Sequence, residues 1–308
     1  MLAALARAPS IAIEPEGAPH WLAEAVVAGG GVLTSPADAT GLVWYGRDAG
    51  QLRRLLEAAP SVRWVQLPSA GIERYLELIG DGRLWTCAKA IYGEAVAEHA
   101  LAMILASLRD IPSLARRRAW IEVVGGSLYD SRITIVGAGG ITGALLPLLA
   151  PFRVSVTVVR RHPTAVDGAN GTWGQDRLLE ALSAADCVVL ACALTAQTAG
   201  MIGARELEAM PKHALLVNVA RGALVRTGEL VAALERGLIG GAALDVTDPE
   251  PLPKDHPLWG MDNVLITPHS ANPDERGRGP LAELVRDNVR RFADGRTLLG
   301  QASARLGY

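Results

Sequence analysis

The stretch RITIVGAGGITGALLPLLAPFRVSVTVVRR, Arg132 to Arg161, constrains this chain more than any other. A β-branched run from Ile133 to Val136 meets a glycine cluster, Gly137, Gly139 and Gly140. An apolar, helix-like stretch opens at Ile141, and a second β-branched run follows, Val154 to Val159. Strand, glycine turn, helix, strand is the βαβ unit that binds a dinucleotide. The glycines let backbone N–H groups approach a pyrophosphate, and a helix N-terminus favours its negative charge. Arg160 and Arg161 end the second run, where an NAD-binding unit usually carries an acidic residue for the ribose hydroxyls. Two guanidinium groups suit a 2′-phosphate instead. The expected ligand is a nicotinamide dinucleotide, NADP in preference to NAD. Taken alone, the segment leaves an ordinary tight turn of an α/β protein as the alternative.

The 308 residues give room for two domains, and half of them are hydrophobic, which excludes a disordered chain. A net charge of −2 offers no broad electrostatic case for nucleic acid or an anionic membrane. No apolar run approaches the roughly 20 residues that span a bilayer. The opening MLAALARAPS is too short for a signal peptide. Cys87, Cys187 and Cys192 lack metal-ligand spacing. They read as reduced, buried thiols of a cytoplasmic protein, with no metal site expected.

The first third alternates predicted strands (Ser10 to Glu14, Leu42 to Tyr45, Arg63 to Leu67, Trp85 to Ala88) with predicted helices (Pro19 to Ala28, Gly50 to Ala58, Ile72 to Gly80). A long apolar helix, Gly93 to Asp110, is long enough to cross between domains. After the glycine-turn unit come strands at Cys187 to Cys192, Leu215 to Val219, Gly241 to Val246 and Val264 to Thr267. Helices at Ala204 to Met210 and Gly228 to Arg236 separate them. Apolar strands alternating with helices imply a parallel sheet covered on both faces. A last helix, Asp274 to Asp294, is expected to return to the first domain. The arginines Arg116 to Arg118 read as a solvated helix face, with a dimer contact or a pull on an anionic substrate as alternatives.

Three patches at the ends of late strands carry the chemistry: NVARGALV from Asn218, ALDVTDPEPL from Ala243 and TPHSA from Thr267. Ligands of open α/β sheets bind outside those strand ends. Arg221 is a planar, permanently charged fork that suits a carboxylate and can polarise a neighbouring carbonyl. His269 can deliver a proton near neutral pH. Glu250 can hold that imidazole oriented and charged. Asp245 ends an apolar strand, where a carboxylate must be bonded or functional. Each has a plainer alternative: Arg221 as a helix C-terminal cap or surface ion pair, His269 as a turn histidine, Glu250 as a solvated loop charge.

On these patches, and on RWVQLPSAGIE, VAEHALAMILASLR, VGAGGI, LTAQTAGMIG and LITPHSA in order, the chain resembles the D-isomer-specific 2-hydroxyacid dehydrogenases over nearly its whole length. The resemblance implies a Rossmann-type doubly wound domain, residues 90–273. It would be inserted in a smaller flavodoxin-like substrate domain, residues 1–89 plus 274–308. It implies Arg221, Glu250 and His269 as catalytic residues, and Ala70 and Gly71 with Arg221 as substrate contacts. Gly137, Gly139, Gly140, Ile141, Arg160, Arg161, Thr195, Thr198, Ala220, Asp245 and His269 would hold the cofactor. It also implies a homodimer, substrate binding in a cleft between domains, and reduction of small 2-keto acids of the glyoxylate or hydroxypyruvate type. Thr142 stands at a usual glycine, Ala193 at a common proline and Arg160 at the usual acidic position. Glu250 argues against formate, whose oxidising relatives pair their histidine with Gln. The alternatives are a dinucleotide-sensing corepressor and a dehydrogenase of another small anion, phosphite or 3-phosphoglycerate.

Overall fold

A computed structural model describes residues 8–118, 120–122 and 125–308, so most of the N-terminal apolar patch lies outside the described residues. The chain divides into two compact units, Met1–Tyr92 with Asp274–Tyr308, and Gly93–Pro273. The first crossing comes at Tyr92 and not at residue 89, because the Tyr92 hydroxyl still donates to Pro68 O at 2.6 Å.

The smaller unit opens with β1 (Ser10–Glu14), α1 (His20–Ala28), β2 (Val32–Leu33), β3 (Gly41–Trp44), α2 (Ala49–Ala58), β4 (Trp64–Gln66) and β5 (Leu84–Thr86). Its strands pair in the parallel order β2-β1-β3-β4-β5, the flavodoxin-like order. The expected helix over 72–80 is only a 3-10 turn, Glu73–Tyr75. Its buried side chains, Ile72, Tyr75 and Leu78, repeat every third residue, which is the 3-10 period and not the α period. Trp44, Trp64 and Tyr75 are among the largest fully buried side chains of this unit.

The larger unit runs α3 (Gly93–Leu108), α4 (Ile111–Arg116), β6 (Arg132–Val136), α5 (Gly140–Leu149), β7 (Ser155–Val159), β8 (Gly171–Trp173), α6 (Leu178–Ser183) and β9 (Cys187–Leu190). It continues through α7 (Ala204–Ala209), β10 (Leu215–Asn218), α8 (Thr227–Glu235), β11 (Gly241–Leu244) and β12 (Val264–Ile266). The sheet order is β12-β11-β10-β9-β6-β7-β8, all parallel. That is a doubly wound sheet whose order reverses between β6 and β9, the place where such sheets bind ligands. β8 and α6 are too short to register as periodic segments in the sequence. The long helix α3 does not cross between units. It lies wholly in the larger one, packed on α5 and β10–β12. Arg116 ends α4, while Arg117 and Arg118 lie beyond it, so the basic run is not a single helix face.

The chain then returns as α9 (Asp274–Ala293), which packs on α1 in the smaller unit. The tail beyond it bridges the edge of β5 antiparallel, Gln301 opposite Thr86. No helix among the described residues is long and apolar enough to cross a membrane.

Candidate active site

The glycine turn joins β6 to α5 beside the switch point. Gly137 sits at φ +116°, and a Cβ there would lie 2.5 Å from Ala191 O, so the fold itself requires glycine. Gly139, at φ −96° and ψ −162°, is different: a Cβ there would meet nothing within 4 Å. No side chain caps the helix that starts at Gly140 and continues through Ile141, leaving its N-terminal N–H groups directed outward. An open approach to an uncapped helix N-terminus fits a pyrophosphate. Thr142 is buried and its hydroxyl donates to Gly137 O at 2.9 Å. The residue that departs from the family glycine therefore braces the turn.

At the end of β7, Arg160 Nη1 donates to Thr164 O at 3.4 Å, and Arg161 Nη2 donates to Gln197 Oε1 at 2.9 Å. Gln197 belongs to the loop after β9, where the buried Thr198 accepts from Thr195 N (2.8 Å) and donates to Ala193 O (2.7 Å). The Thr198 hydroxyl is thus committed to shaping this loop. Thr195 Oγ1 lies 3.2 Å from it.

The strand ends β10, β11 and β12 are neighbours, and the loops after them carry the three catalytic candidates, Arg221, Glu250 and His269. After β10, Asn218 folds the turn: its Nδ2 donates to Arg221 O at 2.8 Å and its Oδ1 accepts from Ala220 N at 3.1 Å. Arg221 is extended and precedes a 3-10 turn, Gly222–Leu224, so it does not cap a helix C-terminus. Its Nη1 donates to the buried Ala220 at O, 2.6 Å. A Cβ on Gly222 would lie 2.0 Å from Thr247 O, so only glycine lets the Arg221 turn nest against the loop after β11. That loop is pinned by Thr227 Oγ1 to Asp248 O (2.6 Å) and Thr247 Oγ1 to Pro249 O (2.9 Å). It presents Glu250, whose Oε1 lies 2.7 Å from His269 Nδ1. The pair is about half exposed, 45% for Glu250 and 51% for His269, so a small molecule can reach the imidazole.

His269 adopts φ +51°, a left-handed conformation that a non-glycine residue holds only when its surroundings impose it. Asp245 imposes it. The carboxylate is buried, and Oδ1 accepts from Thr267 Oγ1 (2.6 Å) and Ser270 N (2.9 Å), while Oδ2 accepts from Ala271 N (3.1 Å). Its backbone O accepts from His269 N at 2.8 Å. Sequence reasoning assigned Asp245 to the cofactor and left Asn218, Gly222 and Thr267 without roles. Their bonds link strand ends remote in sequence, although the unmatched polar character of Asn218 at an apolar strand end is a signal of the kind that Asp245 gave.

Ala70 and Gly71 lie in the smaller unit, in the loop after β4, where Ser69 Oγ donates to Gly71 O (2.7 Å) and Ala88 N to Ser69 O (3.0 Å).

Residues 101–271 match the family described as D-isomer specific 2-hydroxyacid dehydrogenase, NAD binding domain. A glyoxylate reductase of Korarchaeum cryptofilum is 30% identical over 278 residues, 86% of this chain and 79% of that protein. The glyoxylate reductase/hydroxypyruvate reductase of Homo sapiens is 28% identical over 297 residues, 93% of this chain and 89% of that one. A D-isomer specific 2-hydroxyacid dehydrogenase from Xanthobacter autotrophicus Py2, solved with NADPH and MES, superposes with a TM-score of 0.84. It is 27% identical and covers 98% of this chain and 100% of its own. The chain belongs to the D-isomer-specific 2-hydroxyacid dehydrogenase family. It is an NAD(P)-dependent oxidoreductase, similar within that family to the glyoxylate and hydroxypyruvate reductases.

Proposed function

We propose that this protein reduces a small 2-keto acid, of the glyoxylate or hydroxypyruvate type, to the D-2-hydroxy acid, and that it prefers NADPH to NADH. The observation that carries the reading is the 2.7 Å Glu250–His269 pair at the end of β12, two strands along the sheet from β10, whose end bears Arg221. The cofactor, when bound, supplies the hydride that reduces the carbonyl carbon. Arg221 holds the substrate carboxylate with its fork and draws charge toward the carbonyl oxygen. Protonated His269, oriented by Glu250, gives its proton to that oxygen as the alcohol forms. The amides of Ala70 and Gly71 are the proposed carboxylate contacts of the smaller unit, and a homodimer is the proposed assembly. Support for NADPH comes from Arg160 and Arg161 at the end of β7, with no carboxylate at the position that would bond ribose hydroxyls.

Steady-state kinetics with glyoxylate, hydroxypyruvate and pyruvate, each with NADPH and NADH, test the proposal. A charge-assisted contact worth about 1.5–3 kcal/mol predicts at least tenfold preference for NADPH at moderate salt. Arg160→Asp is expected to reverse the order. His269→Ala is expected to cut turnover about 10²–10⁴-fold with dinucleotide affinity retained. No turnover on any of the three acids, or an unimpaired His269→Ala protein, would refute the reaction. Equal efficiency with both cofactors would refute the preference alone.

A further inference from the structure

Among the polar side chains of the motif VAEHALAMILASLR, His99 reaches the loop that bears His269, though the proposed reaction does not use it. His99, on α3, projects Nε2 to within 3.0 Å of Thr267 Oγ1 and 3.4 Å of Asp245 Oδ1. Its side chain is 22% exposed and that of Asp245 is 1% exposed. Proton accounting fixes the direction of this chain of bonds. A threonine hydroxyl owns a single proton. The 2.6 Å contact gives that proton to the Asp245 carboxylate. The bond to His99 must then be one that Thr267 accepts, so His99 carries its proton on Nε2 and donates it. The sequence is His99 Nε2–H to Thr267 Oγ1–H to Asp245 Oδ1. Successive bonds of this kind polarise and strengthen one another in a poorly solvated site.

Asp245 is also the acceptor that fixes Ser270 N and Ala271 N, and its backbone O takes His269 N. The imidazole that meets Glu250 hangs from this loop at a backbone angle it would not adopt unaided. We propose that His99 is a positioning residue for His269: it completes the donor set around Asp245 and so holds the TPHSA loop in the geometry that proton delivery needs. His99 touches neither substrate nor cofactor in this role. The inference rests on the reading of His269 as the proton donor.

Two substitutions test it in the full-length protein. His99→Leu fills space and removes the donor. His99→Gln keeps an N–H donor of similar reach. Misplacement of a reacting group by about 1 Å can cost as much as 10²-fold. The expected result is a loss of kcat of about tenfold or more in His99→Leu, with melting temperature and dinucleotide Kd near wild type, and recovery to within about threefold in His99→Gln. An unchanged kcat in His99→Leu overturns the proposal, as does equal impairment of the Leu and Gln proteins, which would make shape and not the donated bond the agent. If His99→Leu does not fold, a folded His99→Gln protein that still loses more than tenfold overturns it. Should His269→Ala prove fully active, the underlying reading fails. Should His269→Ala be inactive while both His99 proteins behave as wild type, only this inference fails.

Discussion

Glu250 and His269 stand 19 positions apart and meet at 2.7 Å because each hangs from a loop pinned by buried or backbone-directed bonds. Glu250→Gln keeps the loop's shape and loses the charge. A bond to a charged group is worth roughly 1.5–3 kcal/mol, and the exposure of this pair places it at the low end. We expect kcat/KM for keto-acid reduction to fall about tenfold while dinucleotide Kd stays put. A wild-type value would make Glu250 a loop residue only. Arg221, Glu250 and His269 were legible in the sequence as candidates, each with a plainer alternative, because all three follow late strands of one sheet; the meeting of Glu250 with His269 was not. Thr142 was legible only as a departure. Its bond to Gly137 O depends on how the helix first turn folds back over the strand end.

Among elements, the turn between β6 and α5 separates two kinds of glycine. Gly137→Ala forces a Cβ against Ala191 O at a positive φ, and is expected to cost at least about 1–3 kcal/mol of stability. Gly139→Ala meets open space at an accessible φ, so the melting temperature should hold. The methyl would instead intrude where a pyrophosphate approaches, and NADPH affinity is expected to fall about tenfold or more. Calorimetric titration beside thermal melts of the two variants checks both halves. A Gly139→Ala protein that binds normally would show that no ligand uses that approach.

At the opposite, N-terminal end of the same central strands, Asp186 accepts from Arg132 N (2.7 Å) and Nη2 (2.8 Å) and lies 2.9 Å from His213 Nε2. Its bonds to Arg132 hold the carboxyl well below the usual 3.8 against the opposing pull of burial. A depressed carboxyl pKa stabilises the fold above the unfolded value, and that stabilisation is lost as pH falls below it. Asp186→Asn should therefore lower the melting temperature at pH 7, with the difference from wild type shrinking as pH drops below about 4. A pH-independent difference would show that the charge is not what stabilises.

For the molecule as a whole, α9 brings the C-terminal segment back to the first unit, where it packs on α1 and Gln301 bridges Thr86. Asn288 is fully buried on α9. Its Nδ2 donates to Gln66 Oε1 (2.9 Å) and Leu299 O (3.1 Å), and its Oδ1 accepts from Leu299 N (2.7 Å). Asn288→Leu removes all three bonds, and although Gln66 Oε1 still accepts from Thr86 Oγ1 at 2.8 Å, the change is expected to cost roughly 1–3 kcal/mol. Urea unfolding followed by tryptophan fluorescence, with Trp44 and Trp64 in that core, should show the loss. An unchanged midpoint would mean that the return of the chain is held by apolar contact alone.

The sequence by itself determined the βαβ turn, the alternation that makes both sheets parallel, and the placing of three candidate side chains after late strands, because those depend on local periodicity and on residue chemistry. It misjudged 72–80, where buried positions every third residue select a 3-10 turn, and it did not say what α3 packs against, since length alone does not encode that. Only the tertiary structure decided that Asp245 braces the His269 loop, that Gly222 admits Thr247, and that His99 and Gln197 meet partners across the sheet. Those relations join residues from separate strands, and the distance between two strand ends is set by sheet order and register, which no stretch of chain encodes locally.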